Sequence, residues 1–358
     1  MQYIFNFAIR KFTCMTIDEL ALSFEGLLEK KKKVTIISHF NPDGDAVGSS
    51  VGLNGFLLDM GYDSRIVLPS TIPSFLDFLD PQHNIIIYYS EDKQRAKAAV
   101  NDCDMIVCLD FNKPERTEWM SDLLTSAKAD KVMIDHHPNA VREGFNIVIS
   151  DTGASSTCEL LFRVLMAFRH TEGRASSLSL NSLTAIMAGI LTDTNNFNNS
   201  VTPHTFNIAA EMLKAGVDFD FLNNMLFKRF SESRMRLMGH LLKDSMKLER
   251  NSQVSCMVLS LEEKKKFGIQ DGDTEGFVNL PLMIKGVEVS ALFSESEDFI
   301  KVSLRSKGSF SVNALAKSYF NGGGHERAAG GRLYIPIGQV RDYFSESLEQ
   351  FLLNNRRV

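Results

Sequence analysis

The stretch Val34-Thr35-Ile36-Ile37-Ser38-His39-Phe40-Asn41-Pro42-Asp43-Gly44-Asp45-Ala46 decides how this chain folds. Its first five residues are a short β-rich run, which predicts a buried strand over 34–38. Asn-Pro-Asp-Gly then turns the chain. From 45 to 60 small and apolar residues predict a helix, stopped at Gly61. Strand-like runs at 65–68, 85–89, 105–109 and 132–134 alternate with helix-like segments at 91–100, 118–127 and 156–168. A further amphipathic helix is expected at 20–33, its lysine run matching the negative end of the helix dipole. Apolar strands separated by helices predict an α/β fold with a parallel sheet covered on both faces.

Helices are expected at 205–215 and 221–242, and an apolar segment at 183–192. The charged stretch 228–247 has few turn formers and reads as a helical linker. Beyond it the texture changes. Strands are expected at 254–259, 287–293, 299–304 and 333–335, with helices at 312–319 and 340–353 and a glycine-rich loop at 322–324. The organisation is then a domain over 15–227, a helical linker over 228–250, and a smaller mixed α/β domain over 251–358.

At 358 residues the chain has the length of about two domains. A hydrophobic content of 44% with 23% charged residues excludes disorder over most of the chain. No apolar run approaches the roughly 18–20 residues of a membrane span. Residues Met1 to Cys14 place their positive charge behind an apolar stretch, the reverse of a secretory signal. Met15 offers a second start, and a cytoplasmic protein is expected. Five scattered cysteines without a C-x-x-C pair argue against disulfides or a zinc knuckle. The net charge is −5, and residues 251–358 balance 13 basic against 13 acidic side chains. No basic face for long duplex DNA is indicated, and the acidic excess lies before residue 251. Clustered carboxylates in that half point to divalent metal.

The candidate ligands sit where strands end, which is where open α/β sheets bind ligands. His39, Asp43 and Asp45 follow the first strand, and Gly44 lets that loop fold tightly. Asp110 follows 105–109, and Asp135-His136-His137 follows 132–134. Any one of these could be a solvated turn or a helix cap; three strand ends bearing Asp or His are hard to explain that way. Asp193 ends the apolar segment, where an unpaired carboxylate would be costly. His39, Asp43, Asp45, Asp110, His136 and Asp193 exceed what one ion needs and suit two ions sharing a carboxylate. Without a thiolate the set favours Mn²⁺, with Mg²⁺ or Co²⁺ as substitutes, over structural zinc.

Asp135-His136-His137, together with Gly322-Gly323-Gly324-His325 and Ala328-Ala329-Gly330 about 185 residues later, resembles the DHH family of phosphoesterases with its DHHA1 domain. The layout is most similar to its NrnA-type group, the nanoRNA and phosphoadenosine phosphate phosphatases. The resemblance implies one metal on His39, Asp43 and Asp110, and a second on Asp45, Asp110, His136 and Asp193, with Asp110 bridging. It implies that Asp135 orients a histidine, and that His137 faces the substrate phosphate. Arg305 and His325 would hold the substrate's phosphate or nucleotide, and Gly322, Gly323 and Gly324 would let backbone N–H groups approach a phosphate. A hydroxide bridging two metals about 3.5–4 Å apart would attack phosphorus in line.

The implied activity is hydrolysis of short oligoribonucleotides to mononucleotides, and of 3′-phosphoadenosine 5′-phosphate to AMP. The partners are then short RNA or small nucleotides, without long duplex DNA or membrane, and a homodimer is compatible with an exposed face of the first domain. A cyclic-dinucleotide or pApA phosphodiesterase shares the same core and is the alternative. A nucleotide-binding regulator with a dead metal site is the non-enzyme alternative, and the filled ligand positions argue against it. A manganese pyrophosphatase lacks the Gly-Gly-Gly-His signature, a RecJ-like exonuclease needs a longer chain, and a Rossmann dehydrogenase needs a G-x-G-x-x-G that is absent.

Overall fold

A computed structural model describes residues 15–251, 253–269 and 272–355. The stretch Met1 to Cys14, ahead of the second start at Met15, lies outside them. The chain divides into two compact units, the first ending at Arg229 and the second starting at Phe230.

The first unit opens with α1 (Ile17–Leu28), β1 (Lys33–Ile37), α2 (Gly44–Asp59), β2 (Asp63–Leu68) and β3 (Ile86–Ile87). It continues through α3 (Lys93–Asn101), β4 (Met105–Leu109), α4 (Ser121–Ser126), β5 (Asp130–Asp135) and β6 (Ile147–Ser150). Helices α5 (Thr157–Ala167), α6 (Leu180–Asp193), α7 (Pro203–Lys214) and α8 (Phe219–Phe227) complete it. The six strands are all parallel, in the order β3-β2-β1-β4-β5-β6. The connection direction reverses between β1 and β4, so their carboxyl ends flank a crevice.

Alternation along the strands explains the layering. Val34, Ile36, Val107, Leu109, Val132 and Ile134 point into one core with α1, α2, α5 and α6. Ile37, Ile106, Cys108 and Met133 point into the other, under α3 and α4. Successive side chains on a strand take opposite faces, so each strand feeds two cores.

The second unit holds α9 (Glu232–His240), β7 (Lys247–Glu249), β8 (Val254–Leu259), α10 (Leu261–Phe267), β9 (Val289–Glu295), β10 (Ile300–Ser306), α11 (Val312–Tyr319), β11 (Gly323–His325), β12 (Ala328–Leu333) and α12 (Val340–Asn355). Its mixed sheet runs β11-β12-β10-β9-β8-β7, with β8 and β9 parallel and every other pair antiparallel.

Several elements depart from expectation. Helix α1 stops at Leu28, because the N–H groups of Lys32 and Lys33 are taken by the Asp104 carboxylate as Lys33 enters β1. The expected helix at 118–127 is divided, since Glu118 has φ +51°, and α4 begins only at Ser121. The expected helix at 221–242 is also divided, because Ser231 caps a new helix through the N–H of Arg234. The expected linker stretch therefore carries α9, a π-helical turn at Leu241–Ser245 and the edge strand β7. Leu237 and Leu241 bury against Met257 and Leu259 of the second unit.

The glycine-rich loop expected at 322–324 gives way at Gly323 to strand β11. Gly323 and Gly324 pair with Gly330 and Ala329. A Cβ on Gly322 would fall on the Gly330 carbonyl oxygen, and one on Gly324 would lie 2.5 Å from the Ala328 oxygen. The glycines thus let two backbones touch. The Gly322 N–H donates to the Ala316 carbonyl and the Gly324 N–H to Asn313 Oδ1, so two of the three N–H groups expected to meet phosphate already have partners.

Candidate metal centre

The site forms where the carboxyl ends of β1, β4 and β5 meet the ends of α2, α5 and α6. Asp43 caps α2, its Oδ1 accepting from the N–H groups of Asp45 (3.0 Å) and Ala46 (3.1 Å). That cap leaves Asp45 in the first turn, pointing inward and buried. Both Asp45 oxygens meet the start of α5: Oδ2 accepts from the Thr157 N–H at 2.6 Å and Oδ1 from the Cys158 N–H at 2.8 Å. A helix N-terminus is a natural partner for a carboxylate.

Asp193 reaches the site because α6 runs against α2 at very short range. A Cβ on Gly48 would lie 2.5 Å from the Ala185 carbonyl oxygen and 2.9 Å from the Gly189 nitrogen. Gly44, at the start of α2, lies against Thr192 near the end of α6. The two helix ends therefore bring Asp45 and Asp193 to one place.

Asp110 lies at the centre and is 2% exposed. Its φ of +65° is uncommon for a residue with a side chain, a kind of strain that gathers at functional sites. Its oxygens lie 3.5 Å from His39 Nε2 and 3.8 Å from His136 Nε2, and Oδ1 accepts from the Thr157 hydroxyl at 3.0 Å. Burial pushes the Asp110 carboxyl well above the usual range, and Asp45, Asp43, Asp193 and Asp135 push it the same way.

The three histidines are anchored in one manner. Nδ1 of His39 is 2.9 Å from the Phe40 carbonyl, Nδ1 of His136 is 3.4 Å from the Ala154 carbonyl, and Nδ1 of His137 is 2.8 Å from Asp135 Oδ1. His39 and His136 then turn Nε2 toward the carboxylates. A carbonyl or carboxylate behind the ring fixes the tautomer and orients a metal-binding histidine. Burial pushes the His39 imidazole below its usual value, keeping it neutral as a ligand must be.

These atoms fall into ligand groups, each with donor atoms mutually within 4.8 Å: His39, Asp43 and Asp110; Asp45, Asp110 and His136; and Asp110, Asp135 and His137. Asp193 Oδ2 lies 3.6 Å from His136 Nε2, beside the second group. Asp110 belongs to all three. The donor set fits divalent cations: every ion pair of Asp45 and Asp110 among the described residues is to a histidine. Asp135 is fully buried, and its Oδ2 has no hydrogen-bond partner. Buried charge with so little compensation calls for cations.

Thr157 is the site residue missed in the sequence. Ser156-Thr157 reads as an ordinary helix start, and Ser156 does cap α5. Nothing local indicates that Thr157 touches Asp45 and Asp110, which lie 112 and 47 residues away.

Arg305, Ala328 and His325 form one row across β10, β12 and β11 of the second unit. Residues opposite one another in a sheet share a face, so Arg305 and His325 flank a small alanine on the same side.

Residues 33–190 match the family model described as DHH family, N-terminal domain, and residues 253–353 match the DHHA1 domain. The chain belongs to the DHH family. The bifunctional oligoribonuclease and PAP phosphatase NrnA of Thermus thermophilus is 29% identical over 337 residues, 94% of this DHH chain and 95% of that relative. The cyclic-di-AMP phosphodiesterase GdpP of Bacillus subtilis is 25% identical, over 91% of the chain but 49% of the relative. A solved exopolyphosphatase-related protein from Bacteroides fragilis is 37% identical, with a TM-score of 0.87 over 93% of this chain and 96% of its own. This DHH protein is thus a hydrolase of the phosphoesterase class. Among its described residues no helix is long and apolar enough to cross a membrane.

Proposed function

We propose that this DHH protein is a metal-dependent phosphoesterase that hydrolyses short oligoribonucleotides to mononucleotides and 3′-phosphoadenosine 5′-phosphate to AMP. The observation that carries the reading is the sharing of Asp110 between a His39–Asp43 group and an Asp45–His136 group at the switch point of the sheet. Similarity to the Thermus NrnA across nearly both whole chains supports the substrate class.

His39, Asp43 and Asp110 would hold one divalent ion, and Asp45, Asp110, His136 and Asp193 the other. Oxygen and imidazole donors without a thiolate favour Mn²⁺. Bound there, the ions supply Lewis-acid charge and a water acidic enough to ionise near neutral pH. The protein residues do the rest. Asp45 is locked by two main-chain donors, so it keeps its direction during turnover. Asp135 fixes the His137 ring through Nδ1, and His137 would present Nε2 to the substrate's phosphoryl oxygen. Asp43 and Asp193, with side chains 49% and 29% exposed, form the rim through which the phosphate enters. Arg305 and His325 would grip a terminal phosphate or base. Residues 15–227 would form the catalytic part and 251–358 the substrate-gripping part, with the expected connection 228–250 packed from residue 230 on into the second unit.

The test is a product assay with Mn²⁺ on pApA, RNA two-mers and seven-mers, 3′-phosphoadenosine 5′-phosphate and cyclic di-AMP. Mononucleotides from the short RNAs are expected, and excess EDTA should remove them. Full activity in excess chelator would sink the metal reading. The GdpP similarity favours a second reading, and cleavage confined to cyclic di-AMP or pApA would establish it in place of the first.

Thr157→Val removes the hydroxyl bonded to Asp110 but keeps the N–H bonded to Asp45. Metal affinity is expected to weaken about 10-fold, with Thr157→Ser restoring it. Calorimetric titration with Mn²⁺ reads this, and equal affinities for all three proteins would remove Thr157 from the site.

A further inference from the structure

We propose that Tyr89, Trp119 and Phe40 form a stacking platform for a nucleobase of the substrate, beside the metal centre. The proposal deepens the phosphoesterase reading and rests on it for the substrate class.

Three aromatic rings meet at the carboxyl edge of the parallel sheet. Phe40 directly follows the candidate ligand His39, Tyr89 follows β3, and Trp119 lies in the segment after β4 and Asp110. Tyr89 and Trp119 stack with ring centres 4.6 Å apart and planes 21° apart. Phe40 meets Trp119 edge-on at 5.4 Å and 89°. A main-chain bond from the Phe40 N–H to the Arg116 carbonyl, 2.8 Å, ties the two loops together. The platform is thus attached to the metal loop rather than to a distant surface.

The exposure is unusual for paired rings. Tyr89 is 61% exposed and Trp119 is 58% exposed, although each already covers part of the other. Single exposed apolar residues are ordinary, whereas a joined aromatic pair next to a ligand site marks a binding surface. The backbone supports the presentation. Glu118, just before Trp119, has φ +51° and ψ −122°, outside the usual regions for a residue with a side chain. A flat, half-exposed pair of rings fits the π-face of any base. Stacking of this kind tolerates sequence, as an enzyme for mixed short RNAs requires.

Trp119 is the sole tryptophan of the chain, so its fluorescence reports on the platform alone. The titrant is a non-hydrolysable methylene-phosphonate analogue of pApA, compared with the same backbone lacking both bases. The expected result is saturable quenching by the first and none by the second. Unchanged emission at concentrations where the first analogue inhibits pApA hydrolysis would overturn the platform and leave the phosphoesterase reading standing. Quenching in a protein that hydrolyses none of the substrates would keep the platform and overturn that reading. Neither signal would overturn both. In kinetics, Trp119→Ala should raise KM for pApA about 5- to 100-fold with kcat within about threefold. Trp119→Phe, which keeps a ring, should recover most of the loss. An unchanged KM in Trp119→Ala refutes the platform equally.

Discussion

Asp110→Asn is expected to lower kcat/KM by about 10³-fold or more while the protein stays folded. The substitution keeps the volume and one acceptor for the Thr157 hydroxyl but removes the charge shared by the His39–Asp43, Asp45–His136 and Asp135–His137 groups. Its effect on stability should have the opposite sign from its effect on activity. In the metal-free protein burial, then Asp45, Asp43, Asp193 and Asp135, disfavour the ionised Asp110 carboxyl and raise its pKa. A carboxyl raised on folding makes the native state less stable as pH climbs from the ordinary carboxylate range to the raised value. The asparagine variant lacks that loss, so near neutral pH its metal-free Tm should equal or exceed that of the parent. Added Mn²⁺ should raise the parent's Tm and leave the variant's nearly unchanged. Thermal melts with and without Mn²⁺, beside the hydrolysis assay, read both arms. A variant that keeps full activity, or the parent's metal-induced rise in Tm, would remove Asp110 from its central position.

Gly48→Ala should destabilise the first unit by about 2–3 kcal/mol, lowering Tm by roughly 5–10 °C. The added methyl would meet the Ala185 carbonyl oxygen at 2.5 Å and the Gly189 backbone at 2.9 and 3.1 Å. No flexible side chain is there to yield, so α2 and α6 must separate. Those two helices carry Asp45 at one start and Asp193 at one end, so separating them also spreads the candidate ligands. Activity should therefore fall more than the residual folded fraction explains. A melt unchanged within about 1 °C would show that the helices can slide apart without cost. Gly61→Ala serves as the contrasting case: a Cβ there meets nothing within 4 Å, and its penalty comes only from φ +85°.

Five of the six strands of the first unit were legible because their residues carry the pattern locally, whereas β6 (Ile147–Ser150) was not read. The stretch 105–109 was placed to the residue, and so were 254–259 and the helix 312–319 of the second unit. The six candidate ligands were legible for a related reason. His39, Asp110 and His136 stand within two residues of a strand's carboxyl end, Asp43 and Asp45 in the turn and helix start that follow β1, and Asp193 at the end of an apolar helix; the carboxyl edge of a parallel sheet collects such residues. The aromatic platform was not legible. Trp119 reads as packing until Tyr89 and Phe40 are seen against it.

Other features depend on partners far away in the chain. Gly323 and Gly324 belong to a strand rather than a loop because Ala328–Leu333 lies alongside, and three glycines match a turn as well as a close backbone approach. The helix expected at 221–242 is broken by a serine cap that hydrophobic periodicity does not register. Thr157 carries no chemical mark distinguishing it from any residue in a helix's first turn. Its role arises because α5 begins against Asp45 and Asp110, with two main-chain N–H groups and one hydroxyl meeting two buried carboxylates. Period, turn chemistry and the order of apolar runs are properties of neighbours along the chain, so they can be read in one dimension. Which carboxylate fills a helix N-terminus, and which glycines allow two backbones to touch, depends on distances between residues tens to a hundred positions apart, and those exist only after packing.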